Sequence, residues 1–348
     1  MSTQSRRFDA LVFIGRFQPP HRGHLHVLKA ALAQAPRVCV LVGSTDRPRT
    51  IKDPFSFDER RQMLESMLDA DERERERVMI VPVQDSMYND TDWVRWIQQA
   101  VAAALGEAAA TGRVGLIGHE KDASSYYLRM FPQWPFVEVE PNEDISATEI
   151  RAQYFAERPN SFVSWAVPAP VFAWLEQFQA RPEFAQLKSE AEFIAAYHRK
   201  WAAAPYAVTF VTVDAVVVHS GHILLIRRRS APGQGLWALP GGFVEQDERI
   251  DAACIRELRE ETGLKLPEPV LRGSLKDRQV FDHPTRSLRG RTITHASLFH
   301  FPTGELPRVK GSDDADKARW VPLNEFETMR ERMFEDHFDI AYHFLGKL

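Results

Sequence analysis

The first third of the chain alternates short apolar runs with amphipathic stretches, and this alternation restricts the fold more than any other feature of the sequence. Apolar runs typical of buried strands are each followed by a stretch with helical spacing, which indicates a parallel sheet with helical crossovers. The segments are Ala10–Gly15, Leu25–Ala35, Val38–Gly43, Glu59–Leu68, Val78–Val83, Trp93–Leu105 and Val114–Ile117. We therefore predict an α/β domain in the amino-terminal half.

A second pattern begins in the carboxyl-terminal half. After a polar helical stretch that ends near Lys200, the chain becomes rich in β-forming residues from Tyr206 onward, and His219–His222 has the composition of a hairpin turn. We predict a helix at Arg249–Thr262, and strands at Leu271–Phe281, Thr292–Phe301 and Ala318–Val321. The predicted division is a first domain at 1–180, a helical linker at 181–204 and a second domain at 205–348.

Composition excludes several functional classes. The 348 residues carry 44 Lys and Arg against 48 Asp and Glu, a net charge of −4, so we expect no nucleic-acid partner. No apolar run is long enough for a membrane span, and the polar amino terminus does not resemble a signal peptide, so no membrane partner is expected. The two cysteines, far apart in apolar stretches, fit a reducing, cytoplasmic location. Whether the chain forms a homo-oligomer stays open.

The segment from Gly15 to His24 lies between the first predicted strand and the first predicted helix. In an open parallel sheet this junction is at the carboxyl edge, where ligands bind. Glycines allow close approach of the backbone, and the helix start offers free N–H groups to phosphate. Because His21 and His24 are three residues apart, both imidazoles face one side if the turn is helical. The segment predicts a polyphosphate site.

These residues resemble the GxFxPxHxGH signature of the nucleotidyltransferase superfamily, and the form Gly-Arg-Phe-Gln-Pro is similar to archaeal-type nicotinamide mononucleotide (NMN) adenylyltransferases. Further along, Ile145–Arg151 resembles the SxTxxR motif of the same family, although Ala147 departs from its commoner form. The resemblance implies a Rossmann-like domain that transfers the adenylyl group of ATP to NMN and releases pyrophosphate.

The same resemblance implies roles for individual residues. His21, His24 and Arg151 are expected to be catalytic, and Trp93 to stack on the nicotinamide ring, although an aromatic residue at a helix start also suits a core. The residues expected to bind ATP or its phosphates are Gly15, Arg16, Phe17, Lys52, Ser146, Thr148 and Arg151.

The predicted helix at Arg249–Thr262 carries an acidic face. At helical spacing, Glu257, Glu260 and Glu261 fall within a sector of about 100°, while Ile255 and Leu258 face largely the other way. Clustered carboxylates repel one another, so the face requires solvent, arginine partners or divalent cations. Hard oxygen ligands select Mg²⁺ or Mn²⁺.

The pattern from Gly242 to Leu264 matches the Nudix box GX5EX7REUXEEXGU, in which U is a bulky aliphatic residue. The resemblance implies an α/β/α Nudix sandwich with a mixed sheet that hydrolyses a nucleoside diphosphate linked to another group. It implies that Glu257, Glu260 and Glu261 are metal ligands or the base.

A segment downstream of the box is similar to one in ADP-ribose pyrophosphatases. The similarity implies that Arg286, Arg289 and Arg291 reach the substrate phosphate, although arginines in an exposed loop would give the same pattern.

A chain that carries both motifs in this order resembles the bifunctional NMN adenylyltransferase/Nudix hydrolases over nearly its full length. The implied substrates are ATP, NMN and ADP-ribose, with Mg²⁺ or Mn²⁺ at both sites and with AMP and ribose 5-phosphate as hydrolysis products. Two alternatives stay open for the Nudix domain: a sensor that binds ADP-ribose or NAD without cleavage, and hydrolysis of another nucleoside diphosphate derivative. For the first domain, the alternative is a different phosphate acceptor.

Overall fold

The structure is a computed structural model that describes residues 7–68, 76–120, 123–141, 143–156, 161–311 and 315–348. It forms two compact units, Met1–Lys188 and Ser189–Leu348. The boundary between them falls inside one helix, Pro182–Trp201, in the region where the sequence predicts a helical linker. The exact domain limits at 180 and 205 stay a prediction.

The first unit is built on a five-stranded parallel sheet, as predicted. The strand order is β3-β2-β1-β4-β5, so the chain moves outward from β1 in one direction and then returns to extend the other side. The reversal lies beside β1, where a ligand crevice is expected. The strands are β1 (Ala10–Gly15), β2 (Arg37–Val42), β3 (Val78–Pro82), β4 (Val114–Gly118) and β5 (Phe136–Glu138).

Helices cover this sheet and pack apolar faces on it. Ile97, Val101 and Leu105, spaced at helical intervals on the helix Asp90–Leu105, share a buried core with strand residues such as Val12 and Leu41. The helices are α1 (Arg22–Gln34), α2 (Phe57–Ser66), α3 (Asp90–Leu105), α4 (Glu107–Thr111), α5 (Ala147–Tyr154), α6 (Ser161–Ala166), α7 (Ala169–Phe178) and α8 (Pro182–Trp201), with a 3₁₀ turn at Ala123–Arg129.

The second unit contains a mixed sheet, which confirms the second fold prediction. Its main path is β10-β11-β6-β7-β12, with β8 beside β7 and β9 beside β6. The β6–β11 pair is parallel, and the other pairs are antiparallel. The strands are β6 (Thr209–His219), β7 (His222–Arg228), β8 (Trp237–Ala238), β9 (Gly241–Phe243), β10 (Leu275–Phe281), β11 (Arg291–Phe301) and β12 (Ala315–Pro322).

One helix of the second unit, α9 (Ile250–Thr262), packs its apolar face on this sheet. Cys254 and Leu258 join strand residues such as Val213 and Val217 in a buried core, which leaves the acidic face directed away from the core. Both cysteines are buried and unbridged. The remaining helices are α10 (Glu268–Ser274), α11 (Leu323–Phe326) and α12 (His337–Leu345), with a 3₁₀ turn at Arg330–Arg332.

Part of the predicted strand Leu271–Phe281 is wrong. Its first four residues belong to α10, and the strand β10 begins at Leu275. Proline in the first turn favours a helix start, and a Glu268–Arg272 ion pair one turn apart supports the same helix.

Within the described ranges, no helix combines the length and the apolar character that a membrane crossing requires.

Candidate active sites

The junction between β1 and α1 shapes the first candidate site. Phe17 adopts a positive φ of 53° and is buried. Its ring occupies the space beside Gly15, where a Cβ would lie only 2.9 Å from the ring. Glycine at position 15 therefore allows the loop to turn tightly between the strand and the helix.

His21 and His24 lie side by side at the start of α1. Their ring centroids are 3.7 Å apart, and the His21 backbone N–H donates to Nδ1 of His24 over 3.1 Å. Burial, and secondarily His21, holds the pKa of His24 well below its ordinary value. At neutral pH His24 is therefore an uncharged imidazole with Nδ1 as acceptor and Nε2 as donor.

A cavity of about 450 Å³ opens over this junction. It extends from the end of β1 across the start of α1 to the start of α5. Eight residues named from the sequence line it: Gly15, Arg16, Phe17, His21, His24, Ser146, Thr148 and Arg151. Residues distant in the chain therefore converge on one space, and its volume suits a nucleotide-sized ligand.

Arg151 connects the two motifs of the site. Its Nη1 donates to the Gln18 carbonyl over 2.7 Å, and its Nη2 donates to the Thr148 hydroxyl over 3.2 Å. Burial lowers its pKa to about 10, so the guanidinium stays charged at neutral pH. Ser146 caps α5 by accepting from the Thr148 N–H, so Ala147 is not needed for this cap.

Arg60 was not identified from the sequence, although it supports the site directly. The side chain is fully buried, and its guanidinium donates to the backbone carbonyls of Arg16, Gly43 and Ser44 over 2.7, 2.7 and 3.1 Å. It also donates to the carbonyl of Ser56. One cation therefore joins the loop after β1 to the loop after β2. An arginine in an amphipathic helix gives no local signal of this role.

The sequence also assigned Lys52 to the phosphate site. Lys52 lies on the loop before α2, outside the described lining residues of the cavity. Burial, together with the nearby Arg16 charge and despite Asp53, lowers its pKa. The loop is joined to the first motif because Gln18 and Phe55 exchange two hydrogen bonds of 3.0 Å.

Trp93 lines an adjoining cavity of about 300 Å³. This cavity shares Gly15, Arg16 and Tyr127 with the larger one. The half-buried indole meets Tyr127 edge to face, with ring centroids 5.9 Å apart, and it also packs against Phe131. Trp93 therefore packs against the core and lines a cavity beside the first, and its stacking on the nicotinamide ring stays a prediction.

The second candidate site lies on the acidic face of α9. The buried Glu261 accepts from the Gly241 N–H over 2.8 Å. Burial raises the pKa of Glu261 to about 8 and also raises that of Glu257. A Cβ on Gly242 would lie 2.5 Å from the carboxylate carbon of Glu257, so the glycine makes room for that carboxylate. Gly263 adopts the left-handed conformation that ends α9.

Arg256 lies among the acidic side chains. It forms two hydrogen bonds with Glu248, of 2.6 and 3.0 Å, and contacts Glu257 at 2.9 Å and Glu260 at 3.0 Å. Its Nη2 also donates to the Phe243 carbonyl. The arginine thus offsets part of the repulsion that the sequence predicts for this face.

The carboxylates fit a divalent cation by their chemistry. No three His, Cys, Asp or Glu side chains among the described residues already surround one metal position. Oxygen donors from Glu257, Glu260 and Glu261 are nevertheless the type that Mg²⁺ and Mn²⁺ prefer. Burial raises the pKa of Glu261, and a bound cation would favour its ionised form.

The three downstream arginines have separate environments. Arg286 is buried and forms two hydrogen bonds of 2.8 Å with the buried Asp336, which gives it a structural partner inside the unit. Arg291 contacts Asp282 at the start of the same loop. Arg289 lies over the Phe243 ring at 5.2 Å, and Phe243 belongs to the strand that precedes the acidic helix. Of the three, Arg289 is therefore adjacent to the candidate site.

A buried polar network under the Gly241 loop was also missed from the sequence. Asp214 accepts from the Thr294 hydroxyl over 2.5 Å and lies 3.8 Å from Nδ1 of His337. His337 accepts from the Leu239 N–H over 3.0 Å, just before the loop. These groups come from separate strands and a distant helix, so no local spacing in the sequence predicts that they contact one another.

Comparisons with known families divide the chain in the same way. The Cytidylyltransferase-like family model matches residues 12–153, and the NUDIX domain model matches residues 208–344. A crystal structure of a bifunctional NMN adenylyltransferase/ADP ribose pyrophosphatase from Francisella tularensis, complexed with AMP and a manganese ion, is 36% identical with a TM-score of 0.91. The match covers 98% of this chain and 99% of that chain.

Curated relatives resemble each half separately. A nicotinamide/nicotinic acid mononucleotide adenylyltransferase from Acinetobacter baylyi is 39% identical over 185 residues, which are 53% of this chain and 94% of the relative. An ADP-ribose pyrophosphatase from Methanocaldococcus jannaschii is 36% identical over 130 residues, which are 36% of this chain and 72% of the relative. The two similarities together correspond to the two candidate sites.

Proposed function

The chain belongs to the bifunctional NMN adenylyltransferase/ADP-ribose pyrophosphatase family, and we propose that each of its two sites carries out one of these reactions. The first unit forms NAD from ATP and NMN. The second unit hydrolyses ADP-ribose to AMP and ribose 5-phosphate. The observation that carries the proposal is that each half of the chain forms a site suited to its reaction. The two motifs of the first unit line one cavity, and the Nudix box places its carboxylates on one face of α9.

In the first reaction, the 5′-phosphate of NMN attacks the α-phosphorus of ATP, and the bond from that phosphorus to the bridging oxygen of pyrophosphate breaks. Arg16 and Arg151 supply positive charge in the larger cavity, and His24 donates from Nε2 to a phosphate oxygen. Trp93 stacks on the nicotinamide ring in the adjoining cavity. The protein acts mainly by positioning the two reactants. A bound Mg²⁺ would neutralise further charge on the triphosphate.

In the second reaction, water attacks one phosphorus of the ADP-ribose diphosphate and breaks its bond to the bridging oxygen. Glu257, Glu260 and Glu261 would hold a divalent metal on the acidic face, and the cation would polarise the diphosphate. Gly241 orients Glu261 through its backbone N–H, and Arg256 orients Glu257 and Glu260. A carboxylate of the set takes the proton of the attacking water.

The first activity is tested by chromatographic measurement of NAD formed from ATP and NMN. We expect the native chain to form NAD and His24→Ala to lower kcat at least about 100-fold, a loss typical for general acid–base or charge-stabilising groups. Gln34→Ala, at the other end of α1, is the control and should retain activity. An unchanged rate in His24→Ala would contradict the assignment of this site.

The second activity is tested by release of AMP from ADP-ribose with Mg²⁺ or Mn²⁺. We expect Glu261→Gln to abolish AMP release, because the amide cannot act as a carboxylate ligand or base. The control Glu268→Gln changes an exposed carboxylate on the next helix and should leave the rate unchanged. Binding of intact ADP-ribose to the native chain without AMP release would favour the sensor alternative.

A further inference from the structure

A groove beside the acidic site is lined by aromatic side chains. Its volume is about 390 Å³, within the range of small-molecule pockets. It lies between the carboxyl end of α8, the segment that leads into β6, and the loop before β11. The lining residues used here are His198, Trp201, Tyr206, Phe210 and Arg289.

Large aromatic surfaces are exposed around this groove. Tyr206 is 85% exposed, Trp201 is 46% exposed, and Phe243, whose ring meets Phe210, is 40% exposed. Clustered exposed apolar surface is unfavourable in water, and on a folded protein it marks a binding surface. Flat aromatic faces are suited to stacking on a planar ring.

The groove has a defined internal geometry. Phe210 lines the groove, and its ring centroid lies 5.3 Å from that of Trp201 and 5.8 Å from that of Phe243. His198 contacts the Leu288 carbonyl at 2.9 Å and so joins α8 to the loop that carries Arg289. The walls are therefore connected by specific contacts within the second unit.

Phe243 connects the groove to the acidic helix. Its ring contacts Phe210, while its carbonyl accepts from Arg256, the residue that lies among Glu248, Glu257 and Glu260. Arg289 lines the groove, lies over the same ring at 5.2 Å and is 4.0 Å from Glu335, so a positive charge adjoins the strand that precedes the acidic helix. A ligand with a planar ring at one end and a diphosphate at the other matches this order of groups.

We infer that this groove binds the adenine base of the ADP-ribose substrate, with Trp201 and Tyr206 as stacking surfaces and Arg289 as a partner of the adjacent phosphate. The inference rests on the proposed hydrolase function, because that function places a nucleoside diphosphate at the acidic helix. It assigns selectivity for the nucleotide end of the substrate to residues outside the Nudix box.

The test compares steady-state hydrolysis of ADP-ribose by the native chain, Trp201→Ala and Tyr206→Ala. Loss of a stacking surface should raise KM roughly 5- to 100-fold, with a much smaller change in kcat. Phe193→Ala and Tyr342→Ala are matched controls, because both residues are exposed aromatics of the second unit outside the groove. Their kinetics should equal those of the native chain.

Two inhibitors separate base binding from a general disturbance of the site. ADP carries the base, whereas inorganic pyrophosphate carries only the diphosphate. Both groove variants should weaken inhibition of hydrolysis by ADP and leave inhibition by pyrophosphate unchanged. Equal KM values for ADP-ribose in native and variant chains, or equal weakening of both inhibitors, would overturn the inference.

The base-binding groove can also be tested if the proposed hydrolase function is wrong. If the native chain does not hydrolyse ADP-ribose, calorimetric titration with ADP-ribose decides on the groove. Binding that is lost in Tyr206→Ala and kept in Tyr342→Ala would support the groove as a base site without the reaction. Absent binding, or equal binding in both variants, would overturn it.

Discussion

At the scale of single residues, Arg60 combines burial with charge. Burial lowers its pKa to about 10, yet the guanidinium stays protonated at neutral pH and bonds backbone carbonyls from three segments. A buried cation is costly unless its donors are satisfied; backbone carbonyls accept from them here, and the charges of Asp53 and Asp85 favour the protonated form. Arg60 thus stabilises the loop after β1, which carries Arg16, although no ligand needs to contact Arg60 itself.

Arg60→Met tests this support. Removal of the donors leaves buried carbonyls without these partners, so we expect the unfolding free energy of the first unit to fall by about 3 kcal/mol. Formation of NAD should fall with it, because the loop at Arg16 loses its anchor. Denaturant unfolding and NAD assays measure the two effects. Arg61→Met, which changes an exposed ion-pair partner of Asp58 on the same helix, should cost less than about 0.5 kcal/mol. Equal losses in both variants would contradict the assigned support.

His337 gives the second unit a dependence on pH. Burial lowers its pKa below the ordinary value of 6.5, so the neutral ring is favoured in the folded state. Its contribution to stability is present above about pH 6.5 and is lost as the pH falls through the folded-state pKa. The unfolding free energy should therefore decrease toward acid, by at most about 1.4 kcal/mol per pH unit. Denaturant unfolding at several pH values should show a smaller slope in His337→Gln than in the native chain, and equal slopes would contradict this role of His337.

At the scale of secondary structure elements, turns and caps were predicted more reliably than distant contacts. The turn at His219–His222 joins β6 and β7 as expected, with positive φ at Ser220 and Gly221. The acidic helix begins and ends within a residue of the prediction, because its periodicity and Gly263 are local signals. Arg60 and Asp214 were missed because partners such as Ser44 and Thr294 are 16 and 80 residues away in the chain.

The phosphate site illustrates the same limit. The first motif and Ser146–Arg151 were recognised separately, and the parallel sheet brings them to one cavity. Their spacing in the sequence does not predict the hydrogen bond that Arg151 donates to the Gln18 carbonyl. The last four residues of α10, 271–274, were misassigned to a strand because so short a segment has no clear helical or strand spacing.

Gly242→Ala tests how closely β9 packs against the Glu257 side chain of α9. The new methyl group would meet the flexible end of Glu257, so the carboxylate should move while the fold stays intact. We expect hydrolysis of ADP-ribose to fall about 100-fold, since small displacements of catalytic groups have effects of this size. The thermal midpoint should change little. Gly273→Ala is the control, because no heavy atom lies within 4 Å of its added Cβ. Native hydrolysis rates in Gly242→Ala would contradict the assigned role of Glu257.

At the scale of the whole molecule, each unit has its own sheet, buried core and candidate site. The sequence predicted the two fold classes and their order, since both motifs and both periodicities are local. It did not fix the boundary, because Pro182–Trp201 is one continuous helix with no break in its pattern at the division. One chain thus combines NMN adenylyltransferase and ADP-ribose pyrophosphatase activities, each in its own unit.

Mass spectrometric product analysis distinguishes the two activities in the same chain. Native chain, His24→Ala and Glu261→Gln are each incubated with metal and either ATP with NMN or ADP-ribose. We expect the native chain to give NAD from the first mixture and AMP with ribose 5-phosphate from the second. His24→Ala should lose only NAD formation, and Glu261→Gln should lose only ADP-ribose cleavage. Loss of both activities in either folded variant, or no cleavage of ADP-ribose by the native chain, would contradict the account.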